Sequence, residues 1–190
     1  MPRILAFAGS TRKDSFNKKL VGVATDSARK AGGEVTLIDL RDFPMPVYDG
    51  DLEESQGSPE NASKLYTLMR EHHGLLLSCP EYNSSITAVL KNTIDWVSRP
   101  HNDEPPLAAF TGKVAALLSA SPGALGGLRG LVHVRSILAN IGVVVVPNQI
   151  SVPKAFEAFG DNGSLKDERL QGKVAALAAE LVEFTHKLHG

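Results

Sequence analysis

The sequence predicts an α/β protein, on three observations. Short, wholly apolar runs recur along its 190 residues. Between them lie longer segments whose apolar residues fall at helical spacing. Loops rich in hydroxyls, amides and glycine follow the first, third and fourth apolar runs, where an α/β sheet of parallel strands gathers its chemistry.

Residues 4–8 form the first expected strand. Leu20, Val21, Ala24 and Ala28 then mark one face of a helix that ends near Gly32 and Gly33. A second strand is expected over 35–40, followed by a loop over 42–59 whose acids, Asp51 to Glu54, read as solvated. A helix over 60–73 turns Leu65, Leu68 and Met69 inward, and a third strand spans 75–78. Leu90, Ile94 and Val97 give a helix that stops before Pro100. The fourth strand covers 114–118, the next helix 126–140 and the fifth strand 143–146. Residues 147–166, with Pro147, Pro153 and a turn at Gly160 to Gly163, read as irregular. Leu170, Val174, Leu177, Leu181, Phe184 and Leu188 form a core stripe on a last helix. Buried strands alternating with helices require a parallel sheet covered on both faces, joined by right-handed crossovers. The expectation is a flavodoxin-like three-layer sandwich with a five-stranded parallel sheet in order 2-1-3-4-5, forming a single domain over 1–190.

Composition bounds the function. A net charge of −1, with 43% apolar and 22% charged residues, gives no global pull toward nucleic acid or membrane. The one cysteine, Cys79, excludes an internal disulfide framework. No apolar run reaches the roughly 20 residues of a membrane span, and Met1-Pro2-Arg3-Ile4-Leu5 lacks a signal-peptide pattern. A cytoplasmic protein is expected. His72 and His73 are adjacent and cannot share a helix face, so no metal site is expected. A phosphatase loop of the form Cys-x5-Arg would need arginine at 85, where Ser85 stands. Cys79, ending a buried strand, reads as a packed thiol.

The first loop is Gly9-Ser10-Thr11-Arg12-Lys13-Asp14-Ser15-Phe16-Asn17. A strand running through a polar loop into a helix start is a natural anion seat, because the first N–H groups of a helix lack partners. Hydroxyls, an amide and a guanidinium suit a phosphate monoester, although Ser15 or Asp14 as a plain helix cap would use the same residues. The loop matches neither the dinucleotide fingerprint nor the P-loop. Pro80-Glu81-Tyr82-Asn83-Ser84-Ser85 offers a flat aromatic and an amide, or a helix connection capped by Ser85 or Thr87. The loop from Ser121 to Gly127 lets backbone approach a flat ligand and offers N–H groups to negative charge on a ring. Together the three loops describe a mononucleotide, with flavin mononucleotide (FMN) leading.

These motifs, with Leu90-Lys91-Asn92-Thr93-Ile94-Asp95-Trp96-Val97-Ser98-Arg99-Pro100, resemble the NADPH-dependent FMN reductase family, flavodoxin-like quinone, chromate and azo-dye reductases, from residue 3 to about 140. The resemblance implies that Ser10, Arg12, Ser15, Phe16 and Asn17 hold the FMN phosphate. It implies that Pro80, Glu81, Tyr82 and Asn83 border the ribityl chain and ring, with Ser121, Gly123 and Gly126 on the other side. It further implies ping-pong hydride transfer from NAD(P)H to a quinone or similar small acceptor, with the flavin and no side chain performing the catalysis. A homodimer or homotetramer is implied, with Trp96 and Arg99 as interface candidates. Two alternatives stay open: an electron carrier, which the near-neutral charge counts against, and a flavin-dependent redox-sensing interaction protein.

Overall fold

The computed structural model describes residues 1–101 and 103–190. Five parallel strands lie in the order β2-β1-β3-β4-β5: β1 (Arg3–Ala8), β2 (Glu34–Leu37), β3 (Gly74–Ser78), β4 (Val114–Ala120) and β5 (Val144–Val152). The main helices are α1 (Phe16–Lys30), α3 (Glu60–Glu71), α4 (Ala88–Val97), α5 (Leu128–Asn140) and α7 (Glu168–His189), with short α2 (Gly50–Gln56) and α6 (Ala155–Ala158) between them. The fold is flavodoxin-like, as the alternation of runs requires.

Side chains of a strand alternate between faces, and the core divides accordingly. Ile4, Ala6 and Ala8 pack with Leu20, Ala24, Val174, Leu177 and Leu181, placing α1 and α7 on one face. Leu5, Phe7, Leu75 and Leu77 pack with Leu65, Met69, Leu90, Ile94, Leu131 and Val134, placing α3, α4 and α5 on the other. The inner strands β3 and β4 are buried throughout, which is why they read as unbroken apolar runs.

The structure corrects several boundaries. The second strand stops at Leu37, not 40: Asp39 accepts the Arg41 N–H at 3.0 Å and turns the chain into a 3-10 turn over Leu40–Asp42. The segment expected as a loop over 42–59 contains α2, started by the Asp49 side chain. Glu53 is no solvated acid. Its carboxylate accepts from the Tyr48 hydroxyl at 2.9 Å and from Arg99 Nε at 2.9 and 3.0 Å. This segment straps α4: the Pro46 carbonyl accepts from Asn92 at 2.8 Å and from the Trp96 indole at 2.9 Å. Trp96 is therefore 1% exposed, while Arg99, ion-paired to Glu53, keeps part of its side chain at the surface. The helix expected from 126 begins at Leu128, and Leu188 on the last helix is exposed.

The expected irregular stretch over 147–166 is mostly ordered. β5 continues through Pro147 to Val152, and the pairing slips from Ala115↔Val145 to Leu117↔Gln149. Two extra residues on β5 make a bulge, which accommodates a proline that has no ladder N–H.

Below the sheet, buried Lys113 donates its ammonium to the His72 carbonyl. Burial first, then the charges of Arg70 and Arg3, push its pKa down to about 8. In the unfolded chain lysine titrates at about 10.4, so between these values the unfolded state binds more protons and stability rises with pH. Denaturant titrations should show wild type gaining stability from about pH 8 to pH 10, and Lys113→Met should flatten that rise. Parallel pH profiles for the two proteins would overturn it.

Candidate functional site

The loops β1–α1, β3–α4 and β4–α5 meet above the carboxyl ends of the inner strands, at the switch point between β1 and β3. They are tied together by one side chain. Asn17 Nδ2 donates to the Ala120 carbonyl at 2.8 Å, while its Oδ1 accepts from the Ala120 N–H at 3.0 Å and from the Ser78 hydroxyl at 2.9 Å. A second tie runs from the Thr87 hydroxyl to the Gly9 carbonyl at 2.7 Å. Gly9 sits so close to α4 that a Cβ would come within 3.1 Å of the Leu90 side chain.

Between these loops lies a concavity. It gathers Ser10, Arg12, Ser15, Phe16, Asn17, Pro80, Glu81, Tyr82 and Ser121 from the sequence-derived set, and adds Ala120 and Pro122. Asn83, Gly123 and Gly126 fall outside its walls. Asn83 is the exposed corner of a left-handed turn, φ 50°, between Tyr82 and Ser85. Gly123 is open: a side chain there would meet only Ser121 Oγ, 3.7 Å from its Cβ. Gly126, φ +61°, is packed so that a Cβ would lie 2.6 Å from the Val152 carbonyl carbon. It holds the loop against β5. A larger hollow beside β2 is lined by Lys18, Leu37, Asp39 and Phe43, and lacks the hydroxyl set.

At the first loop, Ser15 caps α1 by accepting the Asn17 N–H at 3.2 Å. Its own N–H and that of Phe16 have no partner among the described residues, as a helix start dictates. Arg12 is exposed and pairs with no acid among the described residues. Phe16 stacks on Phe159 with centroids 6.1 Å apart. An unneutralised guanidinium beside a helix start is an anion site by charge and by dipole.

Two of the lining residues also have partners within the protein. Asn17 commits its Oδ1 and one of its two Nδ2 hydrogens to the clasp, so it shapes the seat, and its second amide N–H has no partner among the described residues. Glu81 faces α5: its carboxylate accepts from Arg129 N–H at 3.0 Å and Gly130 N–H at 3.2 Å and pairs with the Arg129 guanidinium at 2.6 Å. Burial pushes its pKa up, but Arg129 and these N–H groups outweigh that and hold it below the usual carboxylate range. In the third loop the N–H groups of Ser121, Gly123 and Gly126 are bonded within the protein, leaving those of Ala124, Leu125 and Gly127 without a partner among the described residues. Cys79 is fully buried, which pushes its thiol up to about 12, so it is an inert packed group.

The comparisons with known proteins agree with this geometry. Residues 2–157 match the family model for NADPH-dependent FMN reductase. The chain belongs to that family. It is 32% identical to the NAD(P)H:quinone oxidoreductase of Solanum tuberosum, over 99% of this chain and 95% of that one. It is 31% identical to an NAD(P)H-dependent FMN reductase of Pseudomonas aeruginosa, over 99% and 97%. Among solved structures, a flavoenzyme NAD(P)H:(acceptor) oxidoreductase from Paracoccus denitrificans superposes with a TM-score of 0.81 at 27% identity, covering 99% of both chains. An archaeal flavodoxin, TM-score 0.65 at 10% identity, shares the fold.

Removing the clasp should be costly. Asn17→Ala leaves the Ala120 N–H and C=O and the Ser78 hydroxyl buried without partners, a loss of about 2–4 kcal/mol. Urea unfolding checks this, and an unchanged midpoint would contradict the role given to Asn17.

Proposed function

We propose that this chain works as one flavodoxin-like domain that binds FMN across the three loops and acts as an NAD(P)H-dependent oxidoreductase toward a quinone or a similar small acceptor. The observation that carries the reading is the meeting of an unpaired Arg12 and a bare helix start with a flat, half-exposed Tyr82 at the opposite wall. The donor set fits the cofactor: hydroxyls and a guanidinium for the phosphate, an aromatic face and glycine-rich backbone for the ring. Bound flavin supplies the acceptance of hydride from NAD(P)H and its return to the acceptor, in ping-pong order.

The chain's own residues bind and orient. Ser10, Arg12 and Ser15 are the phosphate ligands in this reading, with the N–H groups of Ser15 and Phe16. Asn17 holds the seat open by fixing Ala120 and Ser78. Tyr82 and Pro80 wall the ring on one side. Ser121 and Gly123 border the other, where the N–H groups of Ala124 and Leu125 present partial positive charge. Glu81 acts by fixing the start of α5, which carries that loop onward. No side chain here is required as a general acid or base.

We also propose a cytoplasmic homodimer or homotetramer. Among the described residues no helix is long and apolar enough to cross a membrane. Leu125, Leu128 and Val132 are exposed near the mouth of the site, which supports self-association there. Sedimentation should give a species heavier than one 20.3 kDa chain, and a monomer at micromolar concentration would overturn the assembly.

The cofactor reading is tested by reconstitution. Purified protein should take up FMN and oxidise NADPH or NADH only with FMN present. Arg12→Ala should weaken FMN binding by roughly tenfold, the effect of one lost charged hydrogen bond, while turnover of the loaded protein stays near wild type. A protein that neither binds FMN nor oxidises NAD(P)H in its presence would end this reading. Equal losses of binding and loaded turnover would end the role given to Arg12.

A further inference from the structure

We infer that Arg41 is a positioning residue for the phosphate end of the site, acting through the peptide that joins Thr11 to Arg12. Its guanidinium donates twice to the Thr11 carbonyl, from Nε at 3.0 Å and from Nη2 at 2.6 Å. The N–H of the same peptide unit, on Arg12, donates to the Ser10 hydroxyl at 3.2 Å. That peptide is therefore pinned at both ends. Its carbonyl is engaged by a cation, so it does not turn its negative end toward an anion in the seat.

Arg41 is itself held. Its backbone N–H donates to Asp39 Oδ1 at 3.0 Å, and Asp39 Oδ2 pairs with Lys18 Nζ at 2.5 Å. Burial pushes the Asp39 pKa up, but Lys18 and the Arg41 N–H outweigh it and hold the carboxyl below its ordinary value, so it stays ionised at neutral pH. Lys18 lies in the first turn of α1, the helix that the anion loop enters. A closed ring results: loop, α1, Lys18, Asp39, Arg41 and back to the loop. Arg41 pairs with no carboxylate among the described residues, so its charge also adds to that of Arg12 beside the seat. A loop without this ring would lose part of its affinity to the cost of fixing it on binding.

The inference rests on the loop being the phosphate seat, so its test compares two ligands that differ only in the phosphate. Titrations with FMN and with riboflavin should show wild type preferring FMN. Arg41→Gln should weaken FMN about tenfold and leave riboflavin unchanged, narrowing the preference. Arg41→Lys, with a single donor nitrogen in place of two, should fall between. Thermal unfolding of each variant without ligand monitors the fold, and Asp39→Asn supplies a second route to the same loosening if Arg41→Gln does not fold. An unchanged preference, or an equal loss for both ligands, overturns the role of Arg41 while leaving the seat intact. A wild type that binds the two ligands equally overturns the seat, and Arg41 with it.

Discussion

The site depends on one buried amide. Asn17 sits in the first turn of α1, yet its partners are the last residue of β4 and the last residue of β3. Strand ends in a parallel sheet expose carbonyls and N–H groups that must be satisfied somewhere. Here a single side chain satisfies two such groups, both on Ala120, together with the Ser78 hydroxyl, and so fixes the spacing between three connections far apart in sequence. A phosphate seat, a ring wall and a glycine turn become one site because they share this tie.

The clasp explains a division of labour along the cleft. The phosphate end is made of side chains and of peptide groups at a helix start, and it is held from outside by the turn after β2. In the proposed reading the ring end sets the Tyr82 and Pro80 side chains against a wall of backbone. Its conformation is imposed by contact with the carboxyl end of β5: Ser121 N–H bonds the Val152 carbonyl, and Gly126 fits against Val152 and Pro153. The position of the ring wall is thus determined by a strand that contributes no ligand of its own.

Much of the architecture is legible in the sequence because burial on both faces leaves a local mark. Residues 75–78 and 114–118 are unbroken apolar runs for that reason. The strand order follows from chain handedness and covered faces, and the site's place follows from the order. What stays hidden is non-local. Pro147 reads as a strand breaker, and only pairing with β4 shows that a bulge absorbs it. Trp96 reads as an interface candidate until its indole N–H is seen to donate to the carbonyl of Pro46, fifty residues away. Asn17 and Glu81 both line the cleft, but which way a polar group turns is decided by partners that spacing does not reveal. Arg41 gives no signal, since an arginine two residues after an aspartate is an ordinary turn cation until its reach to Thr11 is seen.

The bulge in β5 has a consequence for the proposed homo-oligomer. A parallel sheet ends in two strands with unpaired backbone groups, and such edges invite another chain to add a strand. One edge here is β2, only four residues long. The other is β5, whose hydrogen-bonding row is broken midway by a proline and two extra residues. Neither edge offers a straight template, so the sheet is closed to continuation, and contact between copies is directed to helix and loop faces, among them the faces that flank the cleft.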